Sequence, residues 1–200
     1  MMKHFFITLL FAGFTTMLFS QSEIAAEPTA ISPLLIGEKI PNITLSDVSG
    51  KKINLLEIAA KKPSVIVFYR GGWCPYCNLH LSELQTIEPD IIKAGYQVIA
   101  ISPDSPESLQ ASISKNKLNY LLLSDNNTEA SRGFGLAFQA PEKYADMLSK
   151  ASAEKNKNVL PVPAVFVVNP QGEILFEYIS PDYKTRLKGT MLLAVLKELK

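Results

Sequence analysis

Six consecutive residues, Ser64-Val65-Ile66-Val67-Phe68-Tyr69, form a β-rich apolar run with no polar alternation. A strand that reads this way is buried on both faces, which requires a parallel or mixed sheet with helices packed on each side. Gly71-Gly72 ends the run, and Trp73-Cys74-Pro75-Tyr76-Cys77 follows at once. A helix is predicted to start at Cys74-Pro75, because proline costs little in a first turn, where its missing N–H had no partner. Cys77, Leu81 and Leu84 then fall at i, i+4 and i+7 on one apolar stripe. Pro89 is expected to interrupt or end that helix.

The two cysteines are the only ones in the 200 residues, and both lie in one tetrapeptide. A disulfide over so short a loop would add little stability, so the pair is a poor structural staple. Its place points to redox chemistry instead. A helix amino terminus presents unpaired N–H groups and partial positive charge. That field favours thiolate, so Cys74 should have a lowered pKa. Cys77 comes one turn later on the same face, close enough to close a small disulfide ring or to resolve a mixed disulfide at Cys74. Zinc would need about four ligands, and c-type haem attachment would need a histidine where Asn78 stands. No metal or cofactor is therefore expected. His80, three residues past Cys77, is read as a partly exposed helix histidine rather than as a group that polarises the thiol.

The rest of the chain completes an α/β order. Residues 43–45 and 52–55 flank Ser49-Gly50 as an early hairpin. Val98 to Ile101 reads as a second buried strand, 106–115 as a helix capped by Ser105, and Leu121 to Leu123 as a third strand. Ala164 to Val168 and Ile174 to Tyr178 flank the turn Asn169-Pro170-Gln171-Gly172 as an antiparallel pair, and a last helix spans roughly 183–199. The charged, helix-prone stretch near 140–158 is read as an inserted helix. This order predicts an α/β thioredoxin-like fold: a mixed central sheet flanked by helices, preceded by a β-hairpin. In such folds a backbone edge beside the cysteines pairs with substrate. Val162-Pro163, ahead of the strand from Ala164, fits that role, and a cis bond is predicted there.

The first residues, Met1-Met2-Lys3-His4, are followed by an apolar run from Phe5 to Phe19 and then by small or polar residues. This is the pattern of a secretory signal peptide over 1–22, cleaved after Ser22 or near Ala26. An uncleaved anchor is the alternative, although the run is short for a bilayer span. A flexible segment over 23–33 and one domain over 34–200 complete the expected organisation. A formal net charge of +1 gives no electrostatic case for nucleic acid or a membrane surface.

The stretch from Val67 to Leu81, Val-Phe-Tyr-Arg-Gly-Gly-Trp-Cys-Pro-Tyr-Cys-Asn-Leu-His-Leu, resembles the peroxiredoxin-like branch of the alkyl hydroperoxide reductase/thiol-specific antioxidant (redoxin) family. The resemblance runs from about residue 34 onwards, and the early hairpin, the 169–172 turn, and Asp182-Tyr183 with Arg186 agree with it. It implies reduction of peroxides by a cysteine thiolate and recycling by thioredoxin or a similar dithiol donor. In the family's frame Cys77 takes the peroxidatic position, Cys74 replaces a threonine, and Arg70 replaces a proline. The family's arginine from the strand near the carboxyl end would fall near Pro163. Arg70 is then the candidate to supply the missing guanidinium.

Taken with the resemblance, the expectation is an exported peroxidase in which one cysteine attacks and the other resolves. Trp73, Pro75, Arg70 and Pro163 support the pair. The alternative is a protein disulfide reductase with Cys74 as the attacking thiol. A copper chaperone is a remote third reading, since such proteins space the cysteines by three and add a distant histidine.

Overall fold

The computed structural model describes residues 24–199, so the expected signal segment lies outside the described residues. The elements follow in the order β1 (Thr44–Ser46), β2 (Lys52–Asn54), α1 (Leu55–Lys61), β3 (Ser64–Phe68), α2 (Pro75–Lys93), β4 (Gln97–Ser102), α3 (Pro106–Asn116) and β5 (Leu121–Ser124). Then come α4 (Glu129–Gly133), β6 (Ala137–Gln139), a single 3-10 turn running into α5 (Ala145–Ala151), β7 (Val159–Pro161), β8 (Ala164–Val168), β9 (Ile174–Ile179) and α6 (Gly189–Glu198).

Seven strands form one mixed sheet in the order β2-β1-β5-β4-β3-β8-β9, and β6 and β7 pair separately. β3 runs parallel to β4 and antiparallel to β8, so it is hydrogen-bonded on both edges. Its side chains alternate between two cores, as strand geometry demands. Val65 and Val67 face a core built with Leu81 and Leu84 of α2, Leu109 of α3, and Leu192 and Leu196 of α6. Ile66 and Phe68 face the other, built with Leu55 and Ala59 of α1, Ala130 of α4, Phe134 and Phe166. All five residues of β3 are buried, which explains its unbroken apolar sequence.

Several elements depart from the sequence expectation. The hairpin extends the main sheet, with Ser46 paired opposite Ser124. α2 continues through Pro89 to Lys93. Pro89 stands on the exposed side of the helix, where the carbonyl it leaves free can be hydrated. Helix α1 was not anticipated. Asn54 caps it by accepting from the Glu57 N–H at 3.1 Å.

The inserted helix covers only part of 140–158, namely the 3-10 turn Glu142–Tyr144 and α5. The remainder turns back at buried Asn156, whose side chain bonds the main chain of Val159 in both directions at 2.8 and 3.0 Å, and enters β7. The last helix begins at Gly189, six residues later than expected.

Every described peptide bond is trans, which corrects the cis bond expected at Val162-Pro163. Only two residues separate β7 from β8, and no tight turn is needed between them, so the trans ground state suffices. Residues 24–33, expected to precede the folded domain, lie against it. Ala25 bridges to Phe138 and accepts from the Gln139 N–H at 2.8 Å.

Candidate active site

The chain leaves β3 through Tyr69 and Arg70 and makes a tight glycine turn. Gly71 has φ +142°, and a Cβ there would lie 2.3 Å from Trp73 Nε1 and 2.7 Å from Asp104 Oδ1. A Cβ on Gly72 would meet Ser112 Oγ at 2.0 Å. Both positions therefore need glycine. The Gly72 N–H donates to Asp104 Oδ2 at 2.7 Å, and its carbonyl accepts from Asn78 Nδ2 at 2.8 Å. Asn116 Nδ2 in turn donates to Asn78 Oδ1 at 3.0 Å, fastening the turn to α3.

A Gly71→Ala substitution should cost about 1–3 kcal/mol and shift Trp73 emission in the folded protein. Gly50 also has a positive φ, +84°, but nothing lies within 4 Å of a Cβ added there by Gly50→Ala. It should destabilise through the backbone alone and leave the emission unchanged. Equal spectra for the two variants would contradict the packing of indole against the turn.

Cys74 is the N-cap of α2, in extended conformation, with Pro75 at the first helical position. Cys77 follows one turn later, and both are free thiols buried at the edge of the core. Hydrogen bonding from the Cys77 thiol, reinforced by the Cys77 main-chain N–H and the positive fields of Arg70 and Arg186, lowers the Cys74 pKa to about 6. Cys77 moves the opposite way. Burial, then the neighbouring sulfur, push its pKa well above the ordinary thiol value. One sulfur is therefore a thiolate near neutral pH while the other keeps its proton.

Two arginines flank this pair. Arg186 Nη2 donates to Cys77 Sγ at 3.4 Å. Arg186 stands in the loop between β9 and α6, and its Nη1 donates to the Tyr183 carbonyl and, at 2.7 Å, to the Thr185 carbonyl. Asp182 shapes that loop, accepting from the Lys184 N–H and Thr185 Oγ1 at 3.1 Å. The Gly189 N–H donates to Glu83 Oε1 at 2.7 Å and clamps the loop's far end to α2. Arg70 is 4% exposed, and its guanidinium carbon lies 4.9, 4.8 and 4.2 Å from the ring centres of Trp73, Tyr144 and Tyr183.

The sequence-predicted residues Arg70, Trp73, Cys74, Pro75 and Cys77 thus meet at one turn. Pro163 joins Arg70 in the wall of an adjoining cavity. The guanidinium that touches a sulfur is Arg186, which the sequence showed only as a point of agreement with the family; it reaches Cys77 from 109 residues away. His80 is buried, contrary to expectation, and burial followed by the Arg186 charge lowers its pKa to about 4. It is neutral at physiological pH, so it brings no positive charge to Cys77.

Asp104 was not anticipated at all. It is 2% exposed beneath the glycine turn, and burial raises its pKa to about 6. Its signal in the sequence is slight: one acid two residues beyond the second buried strand. Among the described residues, no three His, Cys, Asp or Glu side chains converge as a metal site.

Comparison with known proteins agrees with this frame. Residues 36–176 match the AhpC/TSA family. The chain is 28% identical to Peroxiredoxin Bcp of Escherichia coli K12 over 172 residues, covering 84% of this chain and 99% of that protein. It is 31% identical to the chloroplastic Peroxiredoxin Q of Gentiana triflora over 130 residues, covering 62% of this chain and 59% of that one. Among solved structures, reduced Prx3 of Vibrio vulnificus in complex with H2O2 superposes with a TM-score of 0.70 at 16% identity, over 82% of this chain and 99% of that one. Peroxiredoxin Q of Xanthomonas campestris superposes with a TM-score of 0.62 at 22% identity, over 78% and 90%. The chain belongs to the AhpC/TSA family, the thioredoxin-fold peroxiredoxins, and is an oxidoreductase of the thiol-dependent peroxidase kind.

Proposed function

We propose that this protein is an exported peroxide reductase in which Cys74 attacks the peroxide, Cys77 closes the disulfide, and a thioredoxin-type dithiol restores both thiols. The observation that carries the reading is geometric: Cys74 is the N-cap of α2, with the free Cys77 thiol one turn later, and this arrangement lowers the Cys74 pKa while burial pushes that of Cys77 up.

The Cys74 thiolate forms a bond to one peroxide oxygen as the O–O bond breaks. Cys74 becomes a sulfenic acid, and the departing alkoxide or hydroxide takes up a proton. The Cys77 thiol can supply that proton, and Arg186 stabilises the negative sulfur it leaves. Cys77 then attacks the sulfenic sulfur. A disulfide forms, and hydroxide leaves as water with a second proton from solvent. The external dithiol reduces the disulfide through a mixed disulfide. Export is supported by the sequence pattern of residues 1–22; the amino terminus of material recovered outside the cytoplasm, read by mass spectrometry, tests it.

The Arg186 contact with Cys77 favours a second reading, in which Cys77, the peroxidatic position of the family's frame, attacks first. Single-turnover oxidation of the reduced protein by hydrogen peroxide, followed through Trp73 emission across pH, separates the two. With Cys74 attacking, the rate rises through pH about 6, where its thiolate forms, and is level above about 7. A rate that keeps rising beyond pH 9 would assign the attack to Cys77. A rate no faster than that of a free thiol at any pH would defeat both. The protein disulfide reductase would then lead, with insulin reduction as its assay.

A further inference from the structure

Asn78 follows Cys77 directly in α2. Asparagine is a poor residue for the interior of a helix, because its amide competes for main-chain partners. Here the amide is directed at the active turn. Its Nδ2 donates to the Gly72 carbonyl at 2.8 Å, outside the helix and six residues back. The Asn78 main-chain N–H donates to the Cys74 carbonyl at 3.1 Å. One residue therefore holds the two carbonyls that bracket Trp73 and Cys74.

The tie is fixed at both ends. Asp104 holds the Gly72 N–H at 2.7 Å, so Gly72 is gripped through its N–H and its carbonyl alike. Behind Asn78, its Oδ1 accepts from Asn116 Nδ2 at 3.0 Å, and Asn116 also donates to the Ser112 carbonyl at 3.1 Å. Gly72 leans on the same Ser112, since a Cβ there would meet its Oγ. A chain of amides thus runs from α3 through Asn78 to the turn. Cys74, the N-cap in extended conformation, stands two residues beyond the point it holds.

A disulfide forms only within a narrow range of Cα separations and torsions, and the rate of an intramolecular step depends steeply on how well its partners are held. We propose that Asn78 is a positioning residue for disulfide closure, holding Cys74 where the Cys77 sulfur can reach it. The role rests on the dithiol–disulfide cycle of the proposed function, but neither on peroxide as the oxidant nor on which sulfur attacks first.

Dipyridyl disulfide isolates that step without peroxide. One protein thiolate attacks a reagent sulfur, the reagent S–S bond breaks, and one thiopyridone leaves as the mixed disulfide forms. The second protein thiol gives up its proton to solvent and attacks the mixed disulfide, expelling another thiopyridone and closing the Cys74–Cys77 bond. Stopped-flow absorbance of thiopyridone gives both rates, and their ratio at one reagent concentration measures closure against attack. Asn78→Ala should lower this ratio about tenfold. Asn116→Ala, one contact further from the sulfurs, should lower it about threefold, and it serves if Asn78→Ala fails to fold. Gly50→Ala, which destabilises from the β1–β2 turn, should leave the ratio unchanged.

Equal ratios in the native protein, Asn78→Ala and Asn116→Ala would overturn the role of Asn78 while the dithiol cycle stands. An equal fall in Gly50→Ala would overturn it too, by tracing the effect to lost stability. A native protein that releases a single thiopyridone and closes no disulfide would overturn the dithiol cycle itself, and the closing step with it.

Discussion

Replacing Cys74 by serine should lower the first-turnover rate with hydrogen peroxide by about 10³-fold or more, because it removes the one sulfur that is ionised near neutral pH. Cys77→Ser should retain that first turnover and stop there. Its Cys74 sulfenic acid would have no resolving thiol, and it would accumulate until an external thiol captures it. Stopped-flow Trp73 emission gives the rate, and trapping with a sulfenate-selective reagent followed by peptide mass spectrometry gives the residue. The reverse pattern, a retained burst in Cys74→Ser and none in Cys77→Ser, would move the attack to Cys77. Serine is nearly isosteric with cysteine, so both variants should keep the native circular dichroism, and loss of activity can be read as loss of sulfur.

The largest stability effect is expected far from the sulfurs, at Phe134. Its ring is fully buried at the end of α4, 4.8 Å from the ring centre of Phe68 and 5.2 Å from that of Phe166. Phe68 belongs to β3 and Phe166 to β8, so Phe134 braces the strand that carries the active turn against its antiparallel neighbour. Phe134→Ala should cost about 3–5 kcal/mol in lost transfer energy and a cavity, and lower Tm by about 10 °C. Phe134→Leu keeps most of the volume and should cost distinctly less. Urea titration of both variants at one pH measures this directly. A loss below about 1 kcal/mol for the alanine variant would show that the second core closes over the gap.

What the sequence made legible was local. The apolar run 64–69 needs no tertiary information to be read as a strand buried on both faces, because a half-exposed strand would have alternated. The start of α2 was equally plain: two glycines, a proline at the first helical position, and a 3.6-residue stripe each give the same answer. The tetrapeptide could therefore be placed at a helix amino terminus, with Cys74 as the lower-pKa sulfur. Helix α3 and its Ser105 cap were readable for the same reason.

Other features depended on which segments meet in space. The trans bond before Pro163 lies where β7, paired with β6 apart from the main sheet, runs into β8 through two residues, a context that no periodicity announces. His80 reads as a partly exposed residue on its helix; in the fold it is buried and feels the Arg186 charge. Arg186 reaches Cys77 only because Asp182 and Glu83 fix both ends of a loop that the helical pattern of 183–199 concealed. The aromatic surround of Arg70 likewise depends on Trp73, Tyr144 and Tyr183 converging from three separate segments. The sequence by itself determined the strand, the helix start and the placing of the two cysteines there, since each is set by neighbours within one or two turns. The tertiary structure alone decided which charges face those sulfurs, because a charge acts through distance in space and the chain brings these groups together from up to 109 residues apart.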